Sequence, residues 1–433
     1  MDGTTDRTFP GRRFLLLQGP HGPFFGQLAD CLRAAGAEVL RIGFNRGDEV
    51  FWGRRPGYEA YRGRPADWPS HLSVRVVEAG ITDIVLYGDT RPVHAAARSL
   101  ALTRGIVLHV FEEGYLRPWW VTYERGGSNG HSRLMSLDLA TIRRAVRRAP
   151  QPDPDPPSHW GDLRHHVLHG ALYHFFVLAL NRAYPNYASH RALGVAGEFR
   201  LYLRRLLLMP LHRVERMIAT RRVLRGGFPC HIVLLQLEHD ASFRFHSPFA
   251  SITEFIDLCL TGFAAGAPGD HHLVFKTHPL DDGRAPVARR IRETARRLGL
   301  ADRVHFVRGG KLAALLDRAR SAVTVNSTAG QQALWRGLPL LAFGSAIYLK
   351  PGLVSRQPIA DFFRKPDRPD LAAYRDFRVF LLETSQLPGG FYSRRGRRQL
   401  LRHLPARMFA EADPYEPVLR AGAASAQHLA TLE

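Results

Sequence analysis

Short, charge-free apolar runs alternate with amphipathic stretches of ten or more residues, in two separate series along the chain. Nothing else in the sequence constrains the fold as strongly. A strand that is apolar on every residue must be covered on both faces. Strands separated by a helix-length segment join in parallel through right-handed crossovers. The first series predicts strands over 14–18, 38–44, 84–87 and 106–111, with helices over 24–35 and 92–103. Gly36 is placed to stop the first helix and Pro92 to start the second. The second series predicts strands over 231–237, 272–277, 304–307, 322–326 and 338–343, with helices over 248–263, 285–298, 312–318 and 329–336.

Between the two series, the Pro/Asp-rich stretch 151–158 reads as a linker, and 160–225 reads as helical, aromatic and basic without a strand pattern. The expected organisation is α/β: a Rossmann-like domain at 1–150, a linker and basic helical insertion at 151–228, a second Rossmann-like domain at 229–365 and a helical tail at 366–433. Two such domains are expected to face a central cleft, with ligands outside the carboxyl ends of the strands.

Lys+Arg number 60 against 39 Asp+Glu, a formal charge of +21. This favours an anionic partner without naming one. Lysine occurs only at 276, 311, 350 and 365, so the excess is an arginine bias that composition alone explains. A nucleic-acid binder would need basic residues interleaved with aromatics in a recognition motif, and none is present, so no nucleic-acid partner is expected. Cys31, Cys230 and Cys259 have neither disulfide-framework nor zinc spacing. No apolar run reaches bilayer length and no secretory leader is evident, so a cytoplasmic or peripheral location is expected.

Polar motifs gather at the predicted strand ends. Gln18-Gly19-Pro20-His21-Gly22-Pro23 is a glycine-rich turn before a helix, where a ligand can approach the backbone, although it is not a dinucleotide fingerprint. Glu112 and Glu113 point in opposite directions from an extended chain, so one can face a cleft while the other pairs, with Arg117 within reach. A desolvated carboxylate there suits a general base or nucleophile. Glu124 precedes a Gly/Ser/Asn loop suited to a sugar or phosphate. Gln236-Leu237-Glu238-His239-Asp240 and His246-Ser247-Pro248 follow the next strand. Lys276-Thr277-His278-Pro279 offers a histidine to a phosphate. Asn326-Ser327-Thr328-Ala329-Gly330 offers hydroxyls and backbone N–H groups at a helix start, or simply an N-cap. The chain has no Walker A, HExxH or GxSxG motif, and its one Asp-x-Asp, Asp153-Pro154-Asp155, lies in the linker. No metal site is expected.

QGPHGPFF at 18–25, FNRGDEVFW at 44–52, EEGYLRP at 112–118, HSPF at 246–249, KTHP at 276–279 and NSTAG at 326–330 with Gly337-Leu338-Pro339 together resemble the capsule-synthesis family of the KpsS/LipB type, along residues 13–355. The resemblance implies a GT-B fold and a retaining β-Kdo transferase that uses CMP-β-Kdo, without a cofactor. It implies a Kdo linker built on phosphatidylglycerol for export of Gram-negative capsules, a KpsC-type transferase and the export machinery as partners, and a peripheral place on the inner membrane. The first domain would be the acceptor side and the second the CMP-sugar side. His278, Pro279, Ser327, Thr328 and Gly330, with Lys276, would hold CMP. Where a Gln-Val-His-Asn-Asp-like run is expected, this chain reads Gln236-Leu237-Glu238-His239-Asp240.

Retention by double displacement needs a carboxylate nucleophile and a proton-transfer partner. Glu112, Glu113 or Glu124 can be the first, and His21 or His239 the second. Arg117 suits the Kdo carboxylate. Gly19, Gly22, Gln236 and His246 are the remaining substrate-side candidates. A rival reading is a non-catalytic capsule assembly or export factor on the same fold, which CMP binding would discriminate. From 191 to 225, nine arginines stand against Glu198 and Glu215 among many leucines, a pattern suited to an anionic membrane surface.

Overall fold

Phe14, Leu15, Leu16 and Leu17 are all buried, because both faces of their sheet are covered. The computed structural model describes residues 11–117, 119–147, 162–187, 195–278, 281, 283 and 285–421. In its first half, β1 (Arg13–Leu16), β2 (Glu38–Gly43), β3 (Tyr58–Ala60), β4 (Asp83–Tyr87) and β5 (Val107–Glu113) run parallel in the order β3-β2-β1-β4-β5. The order reverses at β1, so a topological switch point lies between β1 and β4. The helices Phe24–Ala34 and Pro92–Arg104 match their expected positions to within a residue, and Gly105 closes the second in the left-handed conformation. Phe14, Phe24, Phe25 and Phe111 pack one face of the sheet, and Leu15, Trp68, Ile84 and Leu86 the other.

β3 was not expected, and neither was the strand that follows β5. β6 (Trp120–Arg125) pairs antiparallel with β5, Phe111 opposite Tyr123. Its Thr, Glu and Arg hide the apolar alternation, and the expectation read the stretch only as leading into the glycine loop. The segment FNRGDEVFW forms the helix Arg46–Trp52, whose Asn45 cap accepts from Asp48 N at 3.0 Å.

The second half repeats the arrangement. β7 (Cys230–Leu234), β8 (His272–Lys276), β9 (Val304–Val307), β10 (Ala319–Thr324) and β11 (Leu340–Ala342) are parallel in the order β9-β8-β7-β10-β11, with the switch point between β7 and β10. The helix Ile252–Gly266 lies so close to the helix Ile359–Arg364 that a Cβ on Gly266 would stand 1.8 Å from the Ala360 carbonyl oxygen.

The chain divides into Met1–His190 with Arg378–Glu433, and Arg191–Phe377. These limits differ from the expected ones. The linker 151–158 lies outside the described residues. The expected helical insertion is split: the helix Asp162–Ala179 packs on Arg46–Trp52 in the first unit, and the helix Val195–Arg225 packs on β9 in the second. The tail is not purely helical. It re-enters the first unit, where β12 (Gln386–Pro388) pairs antiparallel with β6 and Phe391, Leu400, Leu404 and Met408 join the core around Phe14. Among the described residues no helix is long and apolar enough to cross a membrane.

Candidate functional site

Each unit concentrates polar side chains at its own switch point. In the first, Gln18 follows β1 and Arg91 follows β4. An Arg91 N–H donates to Gln18 Oε1 at 2.8 Å, and Gln18 Nε2 donates to the Tyr173 hydroxyl at 3.0 Å. Asn45 Nδ2 donates to the same hydroxyl at 2.7 Å, and that hydroxyl donates to Asp48 Oδ1 at 3.3 Å. Burial pushes the Asp48 carboxyl up, and Arg41 at 3.4 Å opposes the shift. His21 stacks on Tyr173 with centroids 4.4 Å apart and meets His174 edge-on. A Cβ on Gly19 would fall 2.7 Å from the Phe25 ring. One on Gly22, whose φ is +112°, would fall 2.6 Å from His169. Both glycines are therefore demanded by the protein's own packing, and the substrate approach expected there is not needed to explain them.

The paired carboxylates separate as the extended chain requires. Glu113 Oε1 accepts from the Tyr87 hydroxyl at 2.9 Å and the Tyr392 hydroxyl at 3.0 Å. Burial, reinforced by the Glu113 charge, raises both phenols well above the usual tyrosine range, so both remain protonated donors. His166 stacks on Tyr392 at 4.2 Å and 7°. Glu112 turns the other way, its Oε1 accepting from Glu113 N at 3.1 Å. Arg117 is exposed and donates to the Gly114 carbonyl.

Glu124 requires a correction. It is fully buried within β6, and burial pushes its carboxyl up to about 8 against the pull of the Ser132, Tyr415 and Tyr115 hydroxyls. A carboxyl enclosed in the core of the sheet does not reach a substrate from this position, so the candidate nucleophiles that face a strand end are Glu112 and Glu113. The glycine loop after it does reach the strand ends. Asp89, two residues past β4, accepts from Ser128 N at 3.1 Å and pairs with His131 Nδ1 at 2.9 Å, while Asn129 is held at a φ of +52°.

In the second unit, Gln236 follows β7 and Asn326 follows β10, and they lock reciprocally. Gln236 Nε2 donates to Asn326 Oδ1 at 2.7 Å, and Asn326 N donates to Gln236 Oε1 at 3.0 Å. Asn326 Nδ2 also donates to the carbonyls of Ser242 and His246, so His246 enters through its backbone. Ser327 Oγ accepts from Ala329 N at 3.2 Å, and the Ser327 carbonyl accepts from the Tyr348 hydroxyl. Thr328 is half-buried beside it, and its carbonyl accepts from Gln331 N. A Cβ on Gly330 would press on the same hydroxyl at 2.8 Å. The helix that follows, Gly330–Trp335, is only six residues long, so the dipole expected there is small. Lys276 ends β8 and is buried, and His278 follows, half-buried. Pro279 lies outside the described residues. His239 is exposed.

The structure thus gathers Glu112 and Glu113 in one unit, and Gln236, His246, Ser327, Thr328 and Gly330 in the other. The sequence reading missed Gln18, Arg91, Tyr87, Tyr392, Tyr173 and Asp89. Gln18 stood inside a turn already noted, whereas nothing local marks Tyr392.

The family pattern described as capsule polysaccharide biosynthesis protein matches residues 82–392, which span β4 to Tyr392 and hold most of both polar clusters. The chain belongs to this capsule family. The Capsule polysaccharide export protein KpsS of Escherichia coli is 31% identical over 388 residues, covering 88% of this chain and 97% of that protein. The Capsule polysaccharide modification protein LipB of Neisseria meningitidis serogroup B is 31% identical over 382 residues, covering 88% of this chain and 91% of its own length. Among solved structures, the β-Kdo 2,7 transferase KpsC of Thermosulfurimonas dismutans aligns over 84% of this chain and 89% of its own, at 12% identity and a TM-score of 0.41. Likeness at that level carries no argument about chemistry.

Proposed function

We propose that this capsule-family chain is a retaining β-Kdo transferase that moves Kdo from CMP-β-Kdo to phosphatidylglycerol, starting or extending the lipid-borne Kdo linker for capsule export. The observation that carries the reading is the Glu113 carboxylate at the end of β5, held in one orientation by two protonated tyrosine hydroxyls. A nucleophile for double displacement needs that kind of fixed aim. In the first step the carboxylate bonds to the anomeric carbon and CMP leaves with the bonding electrons. In the second a lipid hydroxyl displaces the carboxylate, and its proton passes to a base, for which His21 is the candidate in the same unit. Arg117 would meet the sugar carboxylate. His278, Pro279, Ser327, Thr328 and Gly330, with Lys276, would hold CMP without a metal. We assign the chain to the cytoplasmic face of a Gram-negative inner membrane, working with a KpsC-type transferase and the export machinery.

The test is a transfer assay with CMP-Kdo generated in situ and phosphatidylglycerol as acceptor, read by mass spectrometry. The expected product gains one Kdo or more, and Glu113→Gln forms none while binding CMP normally. No adduct from the wild-type chain, alone or with a KpsC-type partner, would reject the transferase reading. Full activity in Glu113→Gln would reject the nucleophile alone.

A further inference from the structure

Lys276 is 6% exposed. Among the described residues no carboxylate comes within ion-pair distance of its ammonium, which donates to the Thr277 carbonyl at 3.4 Å. A buried charge without a counterion is costly, so its neighbours matter. They are cationic. Burial and the Arg216 charge bring the Lys276 pKa down to about 8.

Arg216 comes from the helix Val195–Arg225. The sequence counts it with that helix's basic face, but the structure turns it inward. A Cβ on Gly310 would lie 2.8 Å from its Cδ. Gly309 and Gly310 have φ of +62° and +81°, a turn that glycine adopts at little cost, and Gly309 N donates to Thr277 Oγ1 at 3.2 Å. The turn therefore joins the end of β9 to the end of β8 beside Lys276. Arg308, which directly follows β9, is mostly buried at 23% side-chain exposure. His212, one helical turn before Arg216, is held toward its neutral form by burial and Arg308, with Arg204 adding to the effect and Glu215 and Asp281 opposing it. Glu215, half-exposed, lies 3.4 Å from Arg308. Neither acid reaches Lys276.

We propose that Lys276, Arg216 and Arg308, gathered at the Gly309–Gly310 turn, form a binding site for a phosphate-class anion. A phosphate gives the buried ammonium its missing counterion and can accept from both guanidinium forks. The anion is either the phosphate of a nucleotide or that of a lipid headgroup. In the first case the site deepens the donor reading above, and in the second it stands whether or not the chain transfers a sugar.

With four lysines in the chain, lysine-labelled full-length protein gives a side-chain spectrum in which Lys276 can be followed by NMR. The probes are inorganic phosphate, CMP, and phosphatidylglycerol vesicles set against phosphatidylcholine vesicles. The expected result is a saturable rise of the Lys276 titration midpoint by about one unit with phosphate, a tenfold preference for the charged form. Arg216→Gln and Arg308→Gln each weaken phosphate binding about tenfold. Arg216→Lys keeps most of it, which separates loss of charge from loss of fold. Arg297→Gln, an exposed control elsewhere in the unit, leaves it unchanged. A response to CMP assigns the anion to a nucleotide, and one to phosphatidylglycerol but not phosphatidylcholine vesicles assigns it to a lipid. No saturable change with any probe, or equal weakening in Arg297→Gln, overturns the site. Either result is independent of the transfer assay.

Discussion

Glu113 and Tyr392 are 279 residues apart in sequence and 3.0 Å apart in space. The sequence shows that Glu112 and Glu113 must diverge, because successive side chains of an extended chain leave on opposite faces. It does not show what receives them, since a tyrosine that distant carries no local signature. Glu124 illustrates the opposite failure. Its neighbours read as a polar approach to a loop, and only the pairing of β6 with β5 reveals a core acid. Removing one donor to a charged acceptor costs about 1.5–3 kcal/mol, or roughly 10–100-fold in rate if the carboxylate must hold its aim in the transition state. Tyr392→Phe should therefore lower kcat by about that factor and leave CMP affinity unchanged. Steady-state kinetics with unaltered kcat would show that Tyr87 alone suffices.

At the scale of elements, charge-free strands and their intervening helices were readable because burial on both faces leaves a continuous apolar run. β6 and β12 were not, because polar or tail residues in them gave no such run. The helix Val195–Arg225 mixes exposed Leu207, Met209, Leu211 and Ile218 with exposed Arg204, Arg213, Arg221 and Arg222. The side chain of Arg205 is outside the described set. An exposed basic and apolar surface of this kind suits the interface of an anionic bilayer, at about 1 kcal/mol per arginine near the surface. The chain should bind phosphatidylglycerol vesicles and release them as salt is added. Arg221→Gln with Arg222→Gln should weaken binding roughly tenfold or more. Flotation assays that find equal partition onto neutral vesicles would instead point to the apolar side chains alone.

At the scale of the whole molecule, paired histidines of the second unit tie its stability to pH. His231 Nε2 lies 3.0 Å from His271 Nδ1 and His272 Nδ1 lies 2.9 Å from His305 Nε2, so each bond needs one unprotonated nitrogen. Burial pushes His231 down to about 3 and His305 to about 4, with Arg320, Arg222 and Arg303 adding to the effect on the four rings and Asp270 opposing it. The unfolded chain takes up these protons near the ordinary value of 6.5. Stability from keeping His231 and His305 neutral is therefore complete above about pH 6.5 and is lost progressively toward pH 4, at about 1.4 kcal/mol per pH unit for each of the two. Thermal melts should show a midpoint that falls from pH 6.5 to 5, and His305→Phe, which keeps an aromatic ring beside Phe228, should flatten the fall. A level midpoint across that range would contradict the account. The tandem α/β plan was legible from the apolar runs, whereas the division of the chain was not, because pairing of β12 with β6 depends on residues far apart. That pairing has a consequence for synthesis. A ribosome releases the second unit's sequence whole before the first unit has β12, Phe391 or Leu400, so the later-made unit can fold first while the earlier one waits, its apolar face open, for the last strand.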